Sequence, residues 1–215
     1  MPKSSNDRRA IRTKKMIRNA LSVLIEEKGF SNISITDITT RADINRGTFY
    51  LHYIDKYDLL EQIENELIQE LQQHIKNTRL ADVAIIDSTD SIESVNKPIP
   101  YMKKVFEFVK ENSVLLKAIL GPNGDPKFQN KIKEFIHTNI FEKNLIKAFN
   151  KEKMLVPEEY FISYLLSAHI GVVQKWLEGG MEKTPEDMAL ILAKMSFLGP
   201  FKVTGIKSIS DLFDL

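Results

Sequence analysis

"RADINRGTFYLHYIDK", residues Arg41–Lys56, decides the fold. Asn45 is a good N-cap, so a short helix is expected from there to about Tyr53. On a wheel of about 100° per residue, Phe49 and Tyr53 fall together, with Ile44 just ahead of them. They define a buried side. Gly47, Thr48 and Leu51 fall opposite, Arg46 and Tyr50 share one flank, and His52 takes the other. A glycine inside a helix costs about 1 kcal/mol relative to alanine. That cost is tolerated where the backbone must lie close to another surface.

Upstream, two more helices are expected. One covers roughly 7–28, with Ile17, Ala20, Leu21, Leu24 and Ile25 as its stripe and Gly29 as its stop. A second, short one follows the N-cap Ser34, with Ile35, Ile38 and Ala42 inward. A turn at Asp43-Ile44 joins it to the third. Three short helices with a tight turn between the second and third describe a helix-turn-helix unit, its motif over residues 34–53. Asp55 caps a fourth helix reaching about Arg79, with Leu59, Leu60, Ile63, Leu67 and Leu71 inward.

The outward face of the third helix suits a DNA groove. Arg46 can reach guanine O6/N7 or a phosphate, Thr48 a base edge or thymine methyl, and Leu51 a thymine methyl. Tyr50 and His52 suit phosphate oxygens, and Lys56 stands at the positive end of the fourth helix as a further phosphate holder. Ser34 and Thr36 open the second helix, where free N–H groups point outward. With the N-cap Asn45 and Gly47, these residues form the expected DNA-contacting set: Ser34, Thr36, Asn45, Arg46, Gly47, Thr48, Tyr50, Leu51, His52 and Lys56.

Charge agrees with a polyanion held at one end. The net charge of the 215 residues is +1, but residues 1–18 hold seven Lys/Arg against one acid. Other chemistry is poorly supported. No cysteine is present, which excludes disulfides and thiolate zinc sites. The four histidines are scattered, and neither H-E-x-x-H, G-x-x-x-x-G-K-[ST] nor G-x-S-x-G occurs. No catalytic residue, metal or cofactor is therefore expected. The longest charge-free apolar run, "YFISYLLSAHIGVVQ" (Tyr160–Gln174), is too short to span a bilayer, and the polar, basic start reads as no secretory leader. A cytoplasmic, nucleoid-associated protein without a membrane partner is expected.

The remainder also reads as helical, over 101–120, 126–150, 157–178 and 184–198, after a polar connection at 80–100. Pro126, Pro157 and Pro185 each stand at a first helical position, where the missing N–H is harmless. The 157–178 segment is apolar on nearly all sides. Phe161, Leu165, Ala168 and Val172 make one face, and Ile162, Leu166, Ile170 and Val173 another.

"GFSNISITDITTRADINRGTFYLHYIDKYDLL" (Gly29–Leu60) resembles the DNA-binding domain of the TetR/AcrR family of bacterial transcriptional regulators. The likeness covers about residues 8–65. Two positions depart from the family pattern: Asp43 replaces the usual turn glycine, which calls for a left-handed aspartate, and Ile54 stands where proline or a polar residue is common. The resemblance implies an all-α protein with two domains. The N-terminal three-helix helix-turn-helix DNA-binding domain takes 7–65, and a C-terminal helical domain for effector binding and dimerisation takes 66–215. It further implies a homodimer paired through roughly 157–198, a palindromic double-stranded DNA operator, and a small-molecule effector. Candidate effector residues are Phe106, Phe135, His137, Phe141, Tyr164, His169 and Trp176. A ligand-responsive repressor is the leading expectation. The alternatives are a TetR-like activator, or an architectural or partner-binding DNA-binding protein without a small-molecule effector.

Overall fold

Every regular element described in the computed structural model is helical, and the described residues are 5–76, 99–138 and 151–206. The chain divides into two compact units: Met1–Glu70 with Asn112–Ile132, and Leu71–Glu111 with Lys133–Leu215.

The first unit holds α1 (Ser5–Lys28), a 3-10 turn (Phe30–Asn32), α2 (Ile35–Arg41), α3 (Arg46–Tyr50) and most of α4 (Lys56–Ile75). The expected stripes are the observed core. Ile17, Ala20, Leu21, Leu24 and Ile25 of α1 are buried, as are Leu59, Leu60, Ile63 and Leu67 of α4. Ile38 and Phe49 plug α2 and α3 into that core. Arg41 of α2 grips Glu27 of α1 through both carboxylate oxygens, at 2.6 and 2.8 Å. The segment 112–132 also belongs to this unit. There Leu115, Leu116, Ala118, Ile119 and Leu120 are buried, and Lys131 reaches the buried Glu64 of α4 at 2.6 Å.

A single helix over 101–120 is not what forms. α5 (Pro100–Glu111) and α6 (Ser113–Leu120) are separate, broken at Asn112, and fall in different units. Asn112 is a poor helix former. Its side-chain oxygen accepts from Arg18 Nη2 at 2.9 Å, which ties the break to α1. α6 is almost wholly apolar and packs along α1, so burial outweighs continuity. After α6 the chain turns through Gly124, where an added Cβ would meet the Ile119 carbonyl oxygen at 1.9 Å.

In the second unit α5 lies along α9 (Pro185–Val203), which also meets α8 (Glu158–Glu178). Phe106, Phe108, Val109, Ile162, Leu166, Ile170, Trp176, Leu177, Met188 and Leu192 are buried. Thr184 opens α9 with a reciprocal capping box to Asp187, and Pro185 takes the first position. The expected end at 198 falls at a kink: Gly199 has φ 73 and Pro200 follows, before a last turn to Val203. α7 (Pro126–Ile136) spans the boundary between the two units' residue ranges. Its expected continuation from 139 to 150 and most of the connection at 80–100 lie outside the described residues.

Candidate nucleic-acid interface

The helix-turn-helix is built from caps. Ser34 Oγ accepts from the Asp37 N–H at 3.2 Å, while Asp37 Oδ2 accepts from the Ser34 N–H at 2.7 Å and from its hydroxyl at 2.6 Å. Lys28 Nζ, at the end of α1, pairs with the same carboxylate at 2.7 Å. Lys28, then Ser34, hold Asp37 well below the usual carboxylate range. The start of α2 is thereby pinned to the end of α1. The turn that follows places Asp43 at φ 52, the left-handed region anticipated for this non-glycine residue, and the Ile44 N–H donates to Thr39 O at 3.0 Å.

Asn45 caps α3 in the same manner. Its Oδ1 accepts from the Thr48 N–H at 2.7 Å and from the Thr48 hydroxyl at 2.9 Å. The hydroxyl proton of Thr48 is thus committed, and Thr48 offers outward a lone pair and a methyl. Gly47 is crowded by the cap: an added Cβ would stand 3.3 Å from Asn45 Oδ1. The glycine therefore has a local steric reason. α3 spans Arg46–Tyr50, and the chain turns on to Tyr53 with both the His52 and Tyr53 N–H groups donating to Phe49 O, at 2.9 and 3.0 Å.

The faces sort as the wheel requires. Phe49 and Tyr53 are buried, Ile44 is half-buried, and Arg46, Gly47, Tyr50 and Leu51 are exposed, Leu51 by 80%. Burial pushes the Tyr53 phenol up to about 12. The Arg46 guanidinium donates to the Thr36 hydroxyl and links α3 to the exposed start of α2. The exposed Tyr50 ring meets the buried Phe49 ring edge to face, centroids 5.6 Å apart. His52 is half-buried beside Tyr53, centroids 6.2 Å apart.

Lys56 is different. Its Nζ donates to Phe30 O at 3.2 Å, Ser31 O at 2.9 Å and Ile33 O at 2.8 Å. Its charge is turned back onto the chain. Tyr57, which the sequence analysis did not single out, stands exposed beside it, as does Ile54. The signal for Tyr57 was available: a large aromatic residue off the inward stripe of α4.

Of the effector candidates, Phe106 and Trp176 are brought into contact. Phe106 and Trp176 are buried and meet edge to face at 5.3 Å, with Trp176 Nε1 donating to Lys183 O at 3.1 Å. His169 Nε2 lies 2.9 Å from Ser196 Oγ, whose own proton goes to Leu192 O at 2.8 Å. The imidazole therefore donates from Nε2, and burial lowers its pKa to about 4. Phe135 is buried and His137 half-buried, both on the last turns of the 126–138 segment. Tyr164 is 53% exposed and faces away from the unit's core. Phe141 lies outside the described residues. Among the described residues no group of three or more His, Cys, Asp or Glu could hold a metal ion, and no helix is long and apolar enough to cross a membrane.

Comparison with known proteins agrees with this geometry. Residues 17–63 match the family described as "Bacterial regulatory proteins, tetR family", and residues 96–197 match "Transcriptional regulator C-terminal region" of the same group. An HTH-type transcriptional regulator of Bacillus subtilis (strain 168), YxbF, is 39% identical over 70 residues, covering 32% of this chain and 18% of that protein. A TetR transcriptional regulator from Streptococcus agalactiae 2603V shares the fold with a TM-score of 0.60 at 22% identity, over 89% of this chain and 97% of that one. A Clostridium perfringens putative fatty acid metabolism regulator does so with a TM-score of 0.61 at 17% identity, over 86% and 98%. The chain belongs to the TetR family of transcriptional regulators, a family of DNA-binding proteins and not of enzymes.

Proposed function

We propose that the protein is a ligand-responsive repressor that grips a near-palindromic operator as a homodimer in the cytoplasm, at the nucleoid. The observation that carries DNA gripping is the outward face of α3. Arg46, Tyr50 and Leu51 are exposed on a helix whose opposite side, Phe49, is fully buried. An arginine fork, a phenol and an aliphatic side chain have no partner in a core from there, and each has one on a duplex. Ser34, Thr36, Asn45, Gly47, Thr48 and His52 border that face and complete the contact set.

Pairing is supported by α8 and α9. Ile162, Leu166 and Ile170 fill the core, while Phe161, Leu165, Ala168 and Val172 are only half-buried. Met195, Phe197, Phe201 and Val203 are exposed on α9. Nothing would meet a Cβ at Gly171, which leaves room for close helix approach. A monomer leaves that apolar seam wet. Two copies paired along it would bury the seam, with Tyr164 at its edge rather than in an effector pocket. Phe106, His169 and Trp176 remain the residues proposed to sense the effector, which acts through its differential affinity for two states of the dimer.

Light scattering of the purified chain together with footprinting on the DNA upstream of its own gene tests this reading. A dimer protecting two half-sites about 34–36 Å apart, or a multiple of that, is expected. A monomer, or protection of a single uninterrupted site, would contradict it.

A further inference from the structure

The residue that sequence reading placed on a phosphate, Lys56, has no N–H left to give one. An ammonium carries three donors, and three backbone carbonyls receive them at 2.8–3.2 Å. The cation also stands 5.1 Å from the Phe30 ring centroid and 5.3 Å from that of Tyr57, and the two rings meet edge to face at 5.5 Å. This arrangement explains how a cation is tolerated in the first turn of α4, where the helix dipole opposes it. The carbonyl oxygens and ring faces supply the compensating negative charge.

The place of those carbonyls matters. Phe30, Ser31 and Ile33 make up the turn that leads directly into Ser34, the cap of α2. The other end of the link is equally rigid. Asp55 Oδ1 accepts from the Tyr57 and Asp58 N–H groups, both at 2.8 Å, and Asp58 Oδ2 accepts from the Ile54 N–H at 2.8 Å. One side chain therefore ties the start of α4 to the start of α2, and α3 is strung between them. We infer that Lys56 is a positioning residue for DNA binding: it latches the chain entering α2 to the first turn of α4 and so sets how α2 and α3 are presented to the duplex. The inference rests on the reading that this helix-turn-helix grips DNA, and it removes Lys56 from the phosphate contacts.

Two readouts separate latch from contact. Amide exchange of Asn32 and Ile33, measured without DNA, reports the turn, since these amides donate to Gly29 O and Phe30 O. The slope of log affinity against log salt, measured on a labelled duplex from upstream of the gene, reports the number of phosphates held. Lys56→Met and Lys56→Arg are compared with the wild-type chain. In both variants the two amides exchange faster and the salt line drops in parallel with its slope unchanged. Arginine keeps the charge, but its planar fork cannot serve three convergent carbonyls. Unchanged exchange, a slope lower by about one in Lys56→Met, or full rescue by Lys56→Arg each overturns the inference. If the wild-type chain itself shows no salt-dependent binding, the DNA reading fails, and exchange alone decides whether Lys56 is a latch.

Discussion

The two units of the molecule are specified by different interactions. In the first unit, geometry is set by polar groups at helix ends. Ser34 with Asp37 and Lys28, Asn45 with Thr48, and Asp55 with Asp58 each place a helix start through short, directional hydrogen bonds. In the second unit α8 and α9 are placed mainly by apolar burial, and the Trp176–Phe106 contact and His169–Ser196 bond sit inside that packing. Hydrogen bonds specify position to fractions of an ångström. Apolar packing accepts substitution so long as volume and patterning are kept. A surface that must fit a groove of constant shape suits the first kind of specification. The second kind would suit the effector-sensing role proposed for that unit.

The largest effects test whether both units have hard cores. Phe49→Ala and Phe106→Ala remove fully buried rings, and each is expected to cost about 3–5 kcal/mol in denaturant unfolding. A much smaller cost at Phe106 would mark the second unit as able to collapse, and would sharpen the contrast. Next comes pH. Folded His169 stays neutral down to about 4, whereas the unfolded chain takes a proton near 6.5. Between those values the unfolded state binds more protons, so stability falls as pH drops through that window and levels off below about 4. The loss attributable to His169 is at most about 3 kcal/mol. It is read as the difference between wild type and His169→Gln, and a zero difference would contradict a buried neutral imidazole.

The two capping boxes give the cleanest contrast. Ser34→Ala and Thr184→Ala each remove the same reciprocal bond and are each expected to cost about 1 kcal/mol. Only Ser34→Ala should also weaken DNA binding at matched folded fraction, as fluorescence anisotropy would show. Equal effects on binding would break the distinction between the units. The smallest effect is a gain. Asp43→Gly relieves a left-handed aspartate and should stabilise by up to about 1 kcal/mol, visible as a higher denaturation midpoint with DNA binding retained.

How far the sequence could be read depended on how local each cause is. Ser34 and Asn45 were legible as caps because their partners lie three residues away. Asp43 was legible through the family resemblance, because it stands where the usual turn carries glycine. The break at Asn112 was not, because its cause is Arg18, distant in sequence, and the burial of α6 along α1. The latch inferred for Lys56 was illegible for the same reason: its three carbonyls lie 23 to 26 residues upstream and are ordinary peptide groups with no sequence signature. Tyr164 belonged to an aromatic list by composition. Only the orientation of α8 separates it from Trp176, since one is exposed and the other buried.

The direct test of the central claim is the affinity of Arg46→Ala and Tyr50→Ala for DNA upstream of the gene, by gel shift, with folding and mass checked in parallel. Both side chains are exposed, so both variants should keep the fold and the oligomeric state of the wild type. Each is expected to lose about 1–3 kcal/mol of binding, roughly fivefold to 150-fold. Wild-type affinity in both variants would contradict the assignment of the α3 face to DNA.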